Sequence, residues 1–99
     1  MIESIYKKAV ELAEQSEEHR GEAKVRCKVN TYKIVVSLFE ISLYVNDRRL
    51  LTIGRYRSVP ILQYWGNTGT HRSAMNALLS LVGSSYRFRL HYGMLQFAN

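Results

Sequence analysis

Three short segments carry cations at every second position: Lys24, Arg26 and Lys28; Arg55 and Arg57; and Arg87 and Arg89, with His91 two residues further on. Ammonium and guanidinium groups in such rows are suited to holding oxyanions, and a series of them holds a polyanion by its phosphates. A period of two is that of an extended chain, so within each segment the cations share one face of a strand. If the three strands lie in one sheet in matched register, the seven residues form a basic surface opposite the core. A nucleic-acid backbone is the ligand that fits such a surface, and contacts to phosphate carry little sequence preference. Tyr56, Tyr86, Phe88 and Tyr92 interleave with the arginines but at the opposite parity, so a platform on which aromatics and cations share one face is not expected from these segments. Two other readings remain open. The cations are then the solvated face of an antiparallel sheet, placed to discourage edge pairing, or they are covered by an acidic segment of this chain or of a second copy.

The charge distribution keeps all three readings in play. The net charge of +6 is unevenly spread: residues 1–22 hold six glutamates against Lys7, Lys8 and Arg20, whereas residues 23–99 hold eleven Lys and Arg against Glu40 and Asp47. The body of the chain is therefore strongly basic, which biases its partners toward polyanions.

Other chemistry finds little material. A nuclease needs a carboxylate cluster for metal, or a His pair beside a cation, and beyond residue 22 the chain offers only Glu40 and Asp47. His19, His71 and His91 have no metal-ligand spacing, and Cys27, the single cysteine, forms no internal disulfide or CxxC site. Cys27 alternates with Val25 and Val29, as a small core thiol on a strand does. Gly66-Asn67-Thr68-Gly69-Thr70, followed by Arg72, can present backbone N–H groups to a phosphate, but it lacks the lysine of a P-loop and the spacing of a dinucleotide fingerprint. No catalytic residue, cofactor or metal is expected.

These residues must be positioned by a small scaffold. Ninety-nine residues, 46% of them hydrophobic, specify a single domain over residues 1–99 with one core. Ile2, Ile5, Tyr6, Ala9, Val10, Leu12 and Ala13 recur at three- and four-residue intervals and predict a helix over residues 2–18, stopped by Gly21. The period then changes to two. Ala23, Val25, Cys27 and Val29 face the core in a first strand, Asn30 and Thr31 turn the chain, and Tyr32, Ile34, Val36 and Leu38 continue in a second. The apolar set shifts to Phe39, Ile41, Leu43 and Val45, so a bulge or break is expected at residues 38–40. Asn46-Asp47 predicts a hairpin turn into a strand over Leu50 to Arg57.

Pro60 makes Ile61 to Trp65 an edge strand or a loop. Thr70 is the expected N-cap of a second helix carrying Ala74, Met75, Leu78, Leu81 and Val82, closed by Gly83. A strand over Ser85 to Tyr92, a turn at Gly93 and a short strand over Met94 to Phe97 complete the chain. The order predicts an α+β fold, a mostly antiparallel sheet with two helices packed on one face. Residues 1–10 contain Glu3, Lys7 and Lys8 and no continuous apolar run, so neither a secretory signal nor a membrane span is expected, and the protein should act where it is made.

Taken whole, about a hundred residues with seven tyrosines, one proline, one cysteine and basic strands such as Tyr86-Arg87-Phe88-Arg89-Leu90-His91-Tyr92, the chain resembles the small proteins of lipothrixviruses and rudiviruses, filamentous viruses of hyperthermophilic archaea. That resemblance implies an accessory protein of the host cytoplasm or the virion, stable to heat and acid. It assigns no functional residues. The sequence therefore points to a basic accessory domain that binds nucleic acid through a sheet face. The alternative is a homo-oligomeric interaction or structural protein, a homodimer in its simplest form, with exposed aromatics such as Tyr64 and Trp65 making the contacts.

Overall fold

In the computed structural model, which describes residues 1–55, 61–66, 68–91 and 94–98, the chain begins with a helix, α1, over Ile2–Gln15. Ile2, Ile5, Ala9 and Ala13 are its buried stripe. Glu3 and Lys7, one turn apart on the outer side, pair at 2.8 Å. The hydrogen bond and the charge of Lys7 hold the Glu3 carboxyl below its ordinary value, and Glu3 raises Lys7 in return. The helix ends three residues earlier than its periodicity predicts, because Ser16 adopts extended backbone and its hydroxyl accepts from the Glu18 N–H at 3.2 Å.

Gly21 is not the helix stop but the first residue of β1 (Gly21–Cys27), and it is buried. A Cβ there would collide with the backbone of Ala9 and Ala13. The two alanines and the glycine thus let α1 lie directly on β1, a close approach that no larger side chain permits.

β2 (Asn30–Val36), β3 (Glu40–Val45), β4 (Arg48–Gly54) and β5 (Ile61–Tyr64) follow in an antiparallel sheet of order β1-β2-β3-β4-β5. The expected α+β fold is therefore the one observed. Tyr32, Ile34 and Val36 on β2, Ile41, Leu43 and Val45 on β3, and Leu51 and Ile53 on β4 face the helices and form the core with Ala74, Met75, Leu78 and Leu79 of α2 (Gly69–Leu81). Leu81 and Val82 are only partly buried beside them. Thr68, not Thr70, caps α2, its hydroxyl accepting the His71 N–H at 3.1 Å. Gly83, at φ 76°, closes the helix as expected.

The hairpins differ from expectation in one place that matters. Register runs from Gly21 opposite Val36 to Cys27 opposite Asn30, so the first turn is Lys28-Val29 rather than Asn30-Thr31. Lys28 takes left-handed backbone at φ 56°, and Val29 is 78% exposed at the turn instead of facing the core. Asn30 and Thr31 stay in β2 instead of turning, held by the neighbouring hairpin: the Thr31 N–H donates to Asn46 Oδ1 at 2.8 Å, and Asn46 Nδ2 donates to Asn30 Oδ1 at 2.9 Å. At residues 37–39 the chain reverses fully, leaving Leu38 and Phe39 exposed, and the parity shift in the sequence is this turn. Asn46-Asp47, both at positive φ, make the predicted two-residue hairpin turn.

β6 (Arg87–His91) and β7 (Met94–Ala98) pair only with each other, in a second sheet. Asn76 of α2 holds this hairpin as a strand would, donating from Nδ2 to the Phe88 carbonyl at 2.8 Å and accepting the Phe88 N–H at 2.6 Å. Phe88 itself is 2% exposed, with its ring 4.9 Å from that of Tyr64. No described helix is long and apolar enough to cross a membrane.

Candidate nucleic-acid interface

The strand pairing decides which cations converge. With the core on one side of the five-stranded sheet, Glu22, Lys24 and Arg26 of β1 project from the other, and all three are exposed. Lys24 lies opposite Lys33 of β2, Lys33 opposite Tyr44 of β3, and Tyr44 opposite Arg49 of β4. These four residues form one row across four strands, spanning about 14 Å at the usual interstrand spacing. Arg26, opposite Thr31, stands beside the row.

The Tyr44 ring is the centre of the row. Lys33 Nζ lies 4.6 Å from its centroid and Arg49 Cζ 5.6 Å, while an Arg49 guanidinium nitrogen donates to Tyr44 Oη at 3.1 Å. Both cations, from the strands on either side of β3, are thereby held at one aromatic ring. Lys33 also approaches Asp47 at 3.8 Å, a long pair with a carboxylate that is 95% exposed. Lys24 sits directly across from Lys33, and like charges so placed repel. Glu22, Lys24, Arg26, Thr31, Lys33, Asn46 and Asp47 together line a shallow basin of about 430 Å³ on this face.

Arg49 owes its place to a bulge. Leu43 pairs with Leu51 but Tyr44 with Arg49, so Leu50 is an extra residue in β4. Leu50 and Leu51 are both buried, and the bulge re-aims the residues before them. Further along the outer side, Ser42 and Thr52 are 5% and 2% exposed and share a 3.0 Å hydroxyl hydrogen bond.

Of the seven cations expected from the sequence, Lys24 and Arg26 belong to this face. Lys28 is exposed but lies in the first hairpin turn, displaced from the strand alternation by its left-handed backbone. Arg55 follows the end of β4 and donates to the Ser37 carbonyl at 3.0 Å, tying the β2–β3 turn to the neighbouring strand. Arg57 and Tyr56 lie outside the described residues. Arg87 and Arg89 are on the separate β6–β7 sheet, where the Arg87 guanidinium donates to the Ser84 and Tyr86 carbonyls, each at 2.6 Å. The matched register that would merge all three segments into one surface is therefore not present.

Lys33, Tyr44 and Arg49 were not singled out by cation spacing, because Lys33 and Tyr44 have no cation two residues away on their strands and Arg49 adjoins Arg48 instead of alternating with it. Parity could have found Lys33, which lies between the inward-facing Tyr32 and Ile34; nothing local announces the bulge that sets Arg49 opposite Tyr44.

The remaining candidates are dispersed. Cys27 is half-buried against the core edge. His19 and His91 are exposed, and His71 is in the first turn of α2. Among the described residues no three His, Cys, Asp or Glu side chains gather to hold a metal ion. Comparison with protein-family models, curated protein sequences and solved structures finds no match.

Proposed function

We propose that this domain binds nucleic acid, without strong sequence preference, through the outer face of its five-stranded sheet. The observation that carries the reading is the row Lys24–Lys33–Tyr44–Arg49, three cations and an aromatic ring crossing four adjacent strands on the side away from the helices. A row of like charges that repel in the free protein gains when phosphates neutralise it. The layers support the same orientation. Glu3, Glu11, Glu14, Glu17 and Glu18 belong to α1 and the turn after it, on the opposite side of the sheet, so a polyanion meets the basic side first. Tyr44 adds a ring among the cations, the combination that binds strands by phosphate contact and base contact together. The resemblance to proteins of archaeal filamentous viruses would place such an activity in the host cytoplasm or the virion, in a heat-stable accessory protein.

The rival reading, a homodimer or larger assembly built on exposed aromatics, has the adjacent Tyr64 and Trp65 to draw on, with Val29, Leu38 and Phe39 exposed elsewhere. Val29 and Phe39 occupy hairpin turns at opposite ends of the sheet, so they make no single patch. The test is charge reversal at two places. Lys24→Glu with Lys33→Glu should abolish binding of labelled DNA or RNA at about 0.1 M salt and leave the melting temperature nearly unchanged. Arg87→Glu with Arg89→Glu, an equal change in net charge on the second sheet, should retain most of it. Equal losses would mean diffuse attraction to a basic protein, and no binding by the unaltered protein at low salt would leave the assembly reading in possession.

A further inference from the structure

Where β4 begins, Arg48, Arg49, Leu50, Trp65, Gly66 and His71 line an open cavity of about 540 Å³, within the range of small-molecule sites. Its residue types divide as a nucleotide does. Leu50, 2% exposed, is an apolar floor, and Trp65, 48% exposed, leaves much of its indole open to solvent. Arg48 and Arg49 bring two guanidinium groups, and neither joins an ion pair among the described residues. His71 Nδ1 is buried without a hydrogen-bond partner on the cavity wall, close to Gly66. An aromatic face, an apolar floor and two uncompensated guanidinium groups within one cavity match a planar base joined to a phosphate.

We infer that this cavity holds one nucleotide unit of a single strand, its base stacked on Trp65 and its phosphate on Arg48 and Arg49. The inference rests on the nucleic-acid reading above and deepens it. Arg49 belongs to both features: it lines the cavity and it holds Tyr44 in the cross-strand row. A strand with one base in the cavity continues over Arg49, Lys33 and Lys24. A paired base cannot offer its face to the indole, so the cavity selects single strands over duplex, whereas the basic row alone does not.

Trp65 is the only tryptophan in the chain, so its fluorescence reports on the cavity directly. The full chain is titrated with a labelled twelve-nucleotide oligothymidylate, with a duplex of the same length, and with thymidine 5′-monophosphate, reading label anisotropy and indole emission. The oligothymidylate should quench Trp65, and Trp65→Ala should weaken its binding roughly tenfold while duplex affinity stays constant. Trp65→Phe, which keeps a ring, should restore most of the loss. Oligothymidylate binding with no change in Trp65 emission and no effect of Trp65→Ala would overturn the cavity and spare the sheet reading. Equal quenching by duplex would overturn the single-strand selectivity. Quenching by the mononucleotide without binding of either oligomer would keep the cavity, with free nucleotide as its source, and remove the sheet reading; absence of all binding would remove both.

Discussion

The cross-strand row makes a quantitative demand on salt dependence. Lys24, Arg26, Lys33 and Arg49 are the four cations on the described outer face at the Asn46-Asp47 end of the sheet. If each neutralises one phosphate of a single strand, the log–log dependence of affinity on salt has a slope of about −2.8, so affinity falls about fiftyfold between about 50 and 200 mM salt. Lys24→Ala with Lys33→Ala removes two of the four phosphate partners and should halve the slope to about −1.4, leaving about a sevenfold fall over the same range. Alanine is chosen over glutamate so that the slope changes through the missing cations alone, with no added repulsion. Anisotropy of a labelled oligothymidylate at four or five salt concentrations measures it. Arg87→Ala with Arg89→Ala, on the β6–β7 sheet, should leave the slope where it was. A slope that does not move in the first variant, or moves as far in the second, would refute the argument that strand pairing selects the cations that meet phosphate.

Three further outcomes test the scaffold. Gly21→Ala should destabilise the domain by about 2 kcal/mol or more, a fall of roughly 10 °C in a thermal melt, because its Cβ meets the backbone of α1, which cannot yield as a side chain can. Ser42→Ala strands the buried Thr52 hydroxyl and should cost about 1–2 kcal/mol in urea denaturation, whereas Ser42→Ala with Thr52→Val should be closer to neutral; additive losses would show that the hydrogen bond is not what matters. Deleting residues 1–20 uncovers the core-facing side of β1 and β2 and should give an aggregating, non-cooperative chain, so a soluble truncation with a sharp melt would show α1 to be a detachable arm.

Local periodicity carried most of the fold. The α1 stripe, the inward sets of β2 and β3 and the Asn46-Asp47 turn can all be read along the chain, because each depends on residues within a few positions of one another. The first hairpin could not be read this way. Val29 continues the apolar alternation of β1, yet it lies in a turn with a left-handed Lys28, while Asn30 and Thr31 are held in β2 by Asn46 of the next hairpin, a contact that alternation along one strand cannot reveal. The candidate site was half legible for a related reason. Alternation shows which residues of one strand share a face, and so found Lys24 and Arg26; it is silent on which strands pair, and so joined Arg87 and Arg89 to a sheet they do not enter. Lys33, Tyr44 and Arg49 become a set only through register, and register here includes a bulge with no local signature.

The strand order β1-β2-β3-β4-β5 also bears on how the chain reaches its native state. Every strand of the sheet pairs with its neighbour in sequence, and the described turns between β1 and β4 are two or three residues long, so closing them sacrifices little chain entropy. No strand waits for a distant partner, and α1 docks on the hairpin that immediately follows it. A sheet assembled by such successive zippering should form faster than a Greek-key sheet of equal size. On the ribosome, α1 with β1 and β2 can fold before α2 is made, and growth can then proceed strand by strand from an edge already in place.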